Sequence, residues 1–201
     1  MNHTLRGLTL TLTLAALLLG GIVASAVLGQ LPISPAEVGG SLLRALGIQN
    51  EWAPNDSIVE STLWVVRFPR IAMALVVGAA LAVAGAVMQA IFGNPLAEPG
   101  VVGVSSGAAL GAATAIVVGV AALGDSAIAL FAFVGGLLAT LLVYFVSRAN
   151  GRTEVVTLLL TGIAVNAFAG AGLAFLLFVA DSGSREQIVF WQLGSLNGSR
   201  W

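Results

Sequence analysis

Residues 71–97 read IAMALVVGAALAVAGAVMQAIFGNPLA and contain no charged side chain. A helix needs about 20 apolar residues to cross the roughly 30 Å hydrocarbon core of a bilayer, so this stretch is long enough to span one. Further charge-free windows of sufficient length cover residues 7–36, 99–124, 126–147 and 155–180. These windows predict an all-α fold, a polytopic transmembrane helical bundle.

The composition excludes an ordinary soluble enzyme. Of the 201 residues, 58% are hydrophobic and only 8% are charged, whereas a soluble domain carries about 25% charged residues. All eight basic residues are arginines and there is no cysteine, which excludes a Walker-A lysine, Schiff-base chemistry and a thiol nucleophile. We therefore expect no catalytic residue, no cofactor, no metal site and no nucleic-acid partner, and any ATP hydrolysis should take place in another subunit.

Five complete membrane spans are predicted, together with the start of a sixth. The predicted spans cover residues 8–28, 71–92, 101–123, 126–147 and 155–179. A sixth apolar segment begins at Ile188 after a polar segment at residues 181–187. Only 13 uncharged residues follow Glu186 before Arg200, so we expect residues 1–201 to form a single transmembrane domain that stops within helix 6.

The first apolar segment has an alternative interpretation as a cleaved signal peptide. Arg6 precedes it, and Ala24-Ser25-Ala26 is typical of a cleavage site. The apolar stretch is longer than a signal peptide requires, so we expect a retained helix. Charge does not decide its orientation, because three arginines fall on one predicted side and four on the other.

Residues 30–70 form the predicted external loop, with four prolines and seven charges. Ser34 suits a helix N-cap, Pro35 suits the first helical position and Glu37 suits the first turn. We predict a short amphipathic helix near residues 35–47 at the membrane interface, followed by an irregular loop. Trp52 and Trp64 fit an aromatic belt at headgroup level.

Small residues four positions apart predict close helix packing in the membrane. The glycines expected to pack in this way are Gly78, Gly103, Gly107, Gly111, Gly162 and Gly170. Thr161 and Asn166 are polar at membrane depth, which leaves two alternatives open for them: packing or the lining of a pathway. No Asp, Glu, Arg or His lies inside a predicted span, and this disfavours an ion-coupled carrier.

Two clusters together resemble one protein family. The first is RFPR at residues 67–70, and the second is NPLAEPG at residues 94–100, followed by GVSSGA at residues 103–108. With LLLTGIAVN at residues 158–166 and FWQLGSLNGSRW at residues 190–201, they resemble permease subunits of ATP-binding-cassette importers for iron–siderophores, haem and vitamin B12, the FecCD-like family.

The resemblance implies a bundle of about ten helices per subunit with a cytoplasmic N-terminus, in the bacterial inner membrane. It also implies three partners besides the lipid bilayer: a second permease subunit, cytoplasmic ATP-binding subunits and an extracytoplasmic substrate-binding protein. The chain has about half the length of such a permease, so contacts to the ATPase made beyond helix 6 are expected to be missing. A secondary carrier or channel, or a non-functional truncated remnant, remain the alternatives.

The resemblance also implies roles for particular residues. Arg67 and Arg70 would dock acidic residues of the binding protein, the alternative being interfacial arginines that reach toward lipid headgroups. Asn94, Pro95 and Leu96 would form a cytoplasmic gate, the alternative being a well-capped turn. The fifth helix, with Thr161 and Asn166, would line the translocation route.

Overall fold

The computed structural model describes residues 3–120, 124–149 and 152–201. Their helices are α1 (His3–Val27), α2 (Pro35–Ala45), α3 (Ser57–Ser61), α4 (Phe68–Phe92), α5 (Val104–Val117), α6 (Asp125–Val146), α7 (Val155–Val179) and α8 (Ser182–Leu193). A π-helical turn at Thr62–Arg67 joins α3 to α4, and a 3₁₀ turn at Pro99–Val102 precedes α5. Two-residue strands β1 (Arg148–Ala149) and β2 (Arg152–Thr153) pair antiparallel between α6 and α7. The predicted all-α membrane fold is confirmed.

Among the residues that the structure describes, four segments are long and apolar enough to cross a membrane: Thr4–Val27, Ser57–Phe92, Ser126–Val146 and Val155–Val179. The third of the five predicted spans, residues 101–123, was wrong in length, because α5 has only 14 residues. At 1.5 Å per residue it extends about 21 Å, short of a roughly 30 Å bilayer core. The last residues of that predicted span, 121–123, lie outside the described residues.

Two glycines set the limits of α5. Gly103 has φ 84° before its first residue, and Gly119 has φ 80° just after its last turn. A residue in this left-handed region ends a right-handed helix, and glycine adopts the region without a Cβ penalty. The uncharged sequence alone therefore overstated the length of the helix.

The predicted external loop of residues 30–70 contains more helix than expected. From Ser57 onward the chain is helical, so the irregular loop predicted up to residue 70 was wrong for its last part. The carboxylate of Asp56 starts this helix by accepting a hydrogen bond of 2.8 Å from the N–H of Ile58. Arg67 and Arg70 consequently lie within a continuous helical segment rather than before it.

Pro69 explains the π-helical turn in that segment. A proline ring inside an α-helix clashes with the carbonyl group four residues earlier. The turn at Thr62–Arg67 is wider than an α-helix and closes with a bond from the N–H of Phe68 to the carbonyl of Leu63. This wider turn lets the helix continue through the proline.

Helix α2 confirms the predicted cap. Ser34 Oγ accepts a 3.2 Å bond from the N–H of Glu37, whose carboxylate accepts a 2.8 Å bond from the N–H of Ser34. This reciprocal pair is a capping box that satisfies two backbone donors. The helix ends at Ala45, two residues before the predicted end.

The polar segment at residues 181–187 is helical from Ser182 onward. It forms the first half of α8, which starts at Ser182 and ends at Leu193. Asp181 is the N-cap and accepts a 3.0 Å bond from the N–H of Ser184. Polar residues in a first helical turn are compatible with a helix when an N-cap satisfies the free backbone donors.

The contacts divide the chain into two compact units. Unit 1 comprises Met1–Gly78 with Leu196–Trp201. Its core cluster consists of Ile33, Val59 and Leu63. The Trp64 indole donates a 2.9 Å bond to Ser41 Oγ and meets the Phe68 ring edge-on at 4.9 Å. The Trp201 indole donates to the carbonyl of Trp64 at 2.6 Å, so Trp64 joins three parts of this unit.

Unit 2 comprises Ala79–Ser195, and in it α5 and α6 pack backbone against backbone. A Cβ atom added at Gly107 would lie 2.6 Å from the carbonyl oxygen of Gly135, and one at Gly111 would lie 2.2 Å from that of Phe131. Only glycine permits such an approach, which supplies van der Waals contact between membrane helices.

The remaining predicted packing glycines fall into two groups. A Cβ at Gly162 would lie 2.2 Å from the carbonyl oxygen of Val101, and one at Gly103 would lie 2.8 Å from Val165 Cγ1. Gly78 and Gly170 instead face open space, with no atom of the described residues within 4 Å of an added Cβ. Any packing role for these two requires a partner outside the described chain.

Candidate functional site

Unit 2 contains an open cavity of about 790 Å³ between α5, α7 and α8. Small residues of α5 and α7 line one side, and aromatic and amide side chains of α8 line the other. The lining includes Ser105, Ser106, Ala109, Gly170, Trp191 and Gln192. None of the described lining residues is charged, so the cavity suits a large solute of mixed polarity better than a bare ion.

Helix α8 is held against this cavity by one buried side chain. Ile188 is 1% exposed and packs into a cluster with Ala112, Ile116 and Ile128. At the N-terminal end of α8, hydrogen bonds from the N–H and hydroxyl of Ser184 lower the pKa of Asp181. The cap and the buried isoleucine together position the aromatic residues of α8.

Asn166 braces the wall of the cavity. Its Oδ1 accepts a 2.7 Å bond from Ser106 Oγ, and its Nδ2 donates a 3.2 Å bond to the carbonyl of Gly100. The amide thus joins α7 to the start of α5 and to the 3₁₀ turn. The cavity lining includes neither Asn166 nor Thr161, which is half-buried on α7.

The predicted gate residues form a tight turn after α4. Asn94 Oδ1 accepts a 2.9 Å bond from the N–H of Leu96, and the Asn94 carbonyl accepts one of 3.1 Å from Ala97. Pro95 is exposed between them, and the Leu96 side chain is 86% exposed. The turn is therefore well capped, and it presents an apolar side chain that nothing in the described chain covers.

The two predicted docking arginines lie in different surroundings. Arg67 is buried, and its guanidinium donates hydrogen bonds to the carbonyls of Ala26, Val27 and Leu31. These groups belong to the end of α1 and the residues after it, where carbonyls lack helical partners and the helix dipole favours a cation. A Cβ at Gly29 would lie 2.9 Å from Arg67 Nη2, so glycine leaves room for the arginine.

Arg70 is exposed at a cavity of about 680 Å³ in unit 1. Gln30, Thr62 and Arg67 also line this cavity. Within residues 3–120, 124–149 and 152–201, Arg70 forms no salt bridge. Of the two arginines, only Arg70 has a charge free to meet a partner.

Sequence reasoning missed Ser106, Trp191 and Gln192 as cavity residues. Asp181 is a residue type favoured at an N-cap, a signal that could have located the start of α8. No sequence signal could have shown that α8 lies beside α5, because that contact depends on the burial of Ile188. Within the described part of the chain, no group of three His, Cys, Asp or Glu side chains could hold a metal ion.

These features define a class of protein: a multi-pass membrane protein with an uncharged cavity of solute size between three of its helices. The profile of the FecCD transport family matches residues 17–201. The chain belongs to the FecCD transport family, as its sequence motifs indicated.

Named relatives agree with this family. The chain is 46% identical over 138 residues to the cobalamin import system permease protein of Halobacterium salinarum, covering 68% of this chain and 36% of the relative. It is 38% identical over 165 residues to the vitamin B12 import system permease protein of Escherichia coli, covering 80% of this chain and 50% of that protein. The chain thus spans half or less of these relatives.

A solved structure shares the fold. It shows a metal-chelate type ABC transporter in an inward-facing conformation, with a TM-score of 0.76 and 28% sequence identity. The similarity covers 96% of this chain and 55% of the other. Nearly all of the present fold therefore corresponds to about half of a transporter chain.

Proposed function

We propose that this chain is the membrane-spanning permease part of an ATP-binding-cassette importer for a metal chelate, in the group of iron–siderophores, haem and cobalamin. The observation that carries the proposal is the family match over residues 17–201, joined by relatives named for cobalamin and vitamin B12 import. The uncharged cavity of about 790 Å³ adds support, because such chelates are large and of mixed polarity.

The proposal includes the partners that such an importer needs. A second permease subunit would complete the pathway, cytoplasmic subunits would hydrolyse ATP, and an extracytoplasmic protein would deliver the chelate. The chain would lie in the bacterial inner membrane with its N-terminus in the cytoplasm. Its own part would be the wall of the pathway, without catalysis.

Within the pathway, α7 would form the wall, with Thr161 and Asn166 on it. The turn at Asn94, Pro95 and Leu96 would close the cytoplasmic end, an assignment supported by the exposed Leu96 side chain. Arg70 would dock acidic residues of the binding protein, since its charge is unpaired in the described chain. The contacts of Arg67 favour a structural role, so its part in docking would be indirect.

The experiment is transport by the protein reconstituted in proteoliposomes with its ATPase and binding protein. Uptake of radiolabelled cobalamin, ferric siderophore and haem is compared with and without ATP. We expect ATP-dependent uptake of one chelate, and the preferred chelate identifies the substrate. Uptake that needs no ATPase would support a secondary carrier or channel, and no uptake with all partners present would support a non-functional remnant.

The same vesicles test the gate. Replacing Asn94 and Leu96 with glycine should increase chelate efflux in the absence of ATP, because the turn loses both its capping amide and its exposed apolar side chain. Unchanged efflux would remove the gate assignment while leaving the transport proposal intact.

A further inference from the structure

Helix α2 turns mostly small residues toward the protein, together with Val38, which packs against the core cluster of unit 1. Gly40 and Ser41 are its buried residues. A Cβ at Gly40 would lie 2.3 Å from the backbone N of Ala53, and Ser41 accepts its bond from the indole of Trp64. An amphipathic helix on a soluble protein also buries its large apolar side chains, whereas Leu42 and the C-cap Leu46 of α2 stay exposed.

The apolar side of α2 faces away from the protein. Leu42 and Leu46 are 45% and 77% exposed, and they follow Gly39 at helical spacing along one stripe. With Trp52, which is 64% exposed, they line an apolar groove of about 570 Å³. Ile48, two residues after Leu46 in the chain, is 52% exposed. Exposure of so many apolar side chains to water is unfavourable.

The neighbouring helix indicates which medium covers this surface. α1 has 25 residues, which extend about 37 Å and exceed a bilayer core of roughly 30 Å. Its end at Val27 therefore reaches the headgroup region, and Leu28 beyond it is 71% exposed. α2 begins at Pro35, only eight residues after Val27, and contacts α1 within unit 1. α2, with the apolar groove on its exposed side, therefore lies beside the end of a helix long enough to cross the bilayer.

The polar side of α2 keeps its charge away from the groove. Arg44 donates a 3.1 Å bond to the carbonyl of Pro54 and lies 3.9 Å from the Glu60 carboxylate. A helix that lies in a membrane interface has this arrangement: leucine side chains on one face, a tryptophan at the edge of that face and charges on the opposite face.

We propose that α2 and Trp52 form an anchor in the membrane interface. The groove lined by Leu42 and Leu46 sits at the boundary between headgroups and acyl chains, in the leaflet where α1 ends, and the Trp52 indole lies at headgroup level. The anchor would hold the loop that follows α2, and with it α3 and Arg70, at a set height above the bilayer. This inference depends on membrane insertion of α1, and it is independent of which solute is transported.

Residues 1–201 contain no cysteine, so a direct test is possible once any cysteine elsewhere in the protein has been replaced. Single variants Leu46→Cys and Trp52→Cys are spin-labelled in the full protein, reconstituted in phosphatidylcholine nanodiscs with no other protein present. Asn55→Cys is the matched control, because Asn55 is exposed and polar in the same unit. Collision rates with oxygen, which enters lipid, are compared with those of a water-soluble nickel chelate.

We expect the ratio of oxygen to nickel collisions to be several-fold higher at position 46 than at position 55, with position 52 between them. Each cysteine replaces an exposed side chain, and monodisperse elution verifies that each variant folds. Equal ratios at positions 46 and 55 would overturn the anchor. Protection of position 46 that appears only after the binding protein is added would also overturn it, and would make the groove a protein-docking surface.

Discussion

The two compact units hold their helices together by different means. In unit 2, Gly107 and Gly111 bring the backbones of α5 and α6 into direct contact. In unit 1, hydrogen bonds join separate segments: Arg67 donates to the carbonyl of Val27 at the end of α1, and Trp64 donates to Ser41 of α2. Lipid tails are as apolar as the helices they surround, so close packing must supply association inside the bilayer. At the ends of helices, free carbonyl groups require donors.

The largest effect is expected at the glycine contact of unit 2. Gly111→Ala would place a Cβ 2.2 Å from the carbonyl oxygen of Phe131. Because α5 and α6 must then separate, the free energy of unfolding should fall by about 3 kcal/mol. Reversible unfolding by dodecyl sulfate in mixed micelles measures it.

Gly78→Ala is the matched control for that variant. Its Cβ would meet no atom of the described residues within 4 Å, so stability should stay the same or rise by up to about 1 kcal/mol through helix propensity. An equal loss in both variants would contradict backbone contact as the distinguishing feature of unit 2.

Arg67 provides the second test, in unit 1. Arg67→Met removes hydrogen bonds to three carbonyls at the end of α1, and the free energy of unfolding should fall by about 2 kcal/mol. Arg70→Met, at an exposed position, should leave it unchanged.

Arg70→Glu should instead weaken association with the binding protein, most strongly at low salt. Surface plasmon resonance at two salt concentrations measures this association. If Arg67→Met left stability intact while Arg70→Met lowered it, the structural role of Arg67 and the docking role of Arg70 would both be refuted.

Asn166 lies in unit 2, but it joins its neighbouring segments through side-chain hydrogen bonds, as Arg67 and Trp64 do in unit 1. Asn166→Ala removes the bonds to Ser106 Oγ and to the carbonyl of Gly100. The free energy of unfolding should fall by about 1 kcal/mol, a typical value for such bonds between membrane helices. A Thr161→Val control in the same helix should change the free energy of unfolding less. A larger loss in the control would show that Asn166 is not the residue that braces the wall.

The smallest effect concerns the cap of α2. Hydrogen bonds from the N–H and hydroxyl of Ser34 lower the pKa of Glu37 below its ordinary value of 4.5. A carboxylate with a lowered folded-state pKa stabilises the fold above its unfolded pKa, and this contribution is lost as the pH falls through the folded value. Unit 1 should therefore lose a little stability below about pH 4.5.

Glu37→Gln should flatten that acid dependence, which circular dichroism in nanodiscs at pH 3 to 7 can follow. An unaltered pH profile in the variant would show that the capping box does not contribute to the acid dependence of stability. Asp181, with its similar cap on α8, offers an independent comparison in unit 2.

Much of the fold could be predicted from residue types. Residues 155–179 were predicted as a helix with the bounds that α7 has, because a charge-free window ends at polar residues on both sides. Ser34, Pro35 and Glu37 located α2, because a cap depends on three neighbouring side chains. Helix bounds and caps of this kind depend on residues that are neighbours in the chain, so they can be read from the sequence.

Other features escaped prediction because they depend on contacts between distant residues or on backbone angles. The positive φ of Gly119 shortened α5, although a glycine within an uncharged window gives no sign of its conformation. Arg67 and Arg70 belong to one RFPR motif, and yet one is buried and the other exposed. Their difference arises from the position of α1, which the motif does not encode.

By itself, the amino-acid sequence determined that this is a polytopic helical membrane protein, because apolar runs must satisfy their backbone hydrogen bonds within helices in a bilayer. Its motifs also indicated the FecCD family. Only the tertiary structure decided which glycines touch a neighbouring backbone, which arginine keeps a free charge and which side of α2 faces away from the protein. Those properties depend on the distances between elements far apart in the chain.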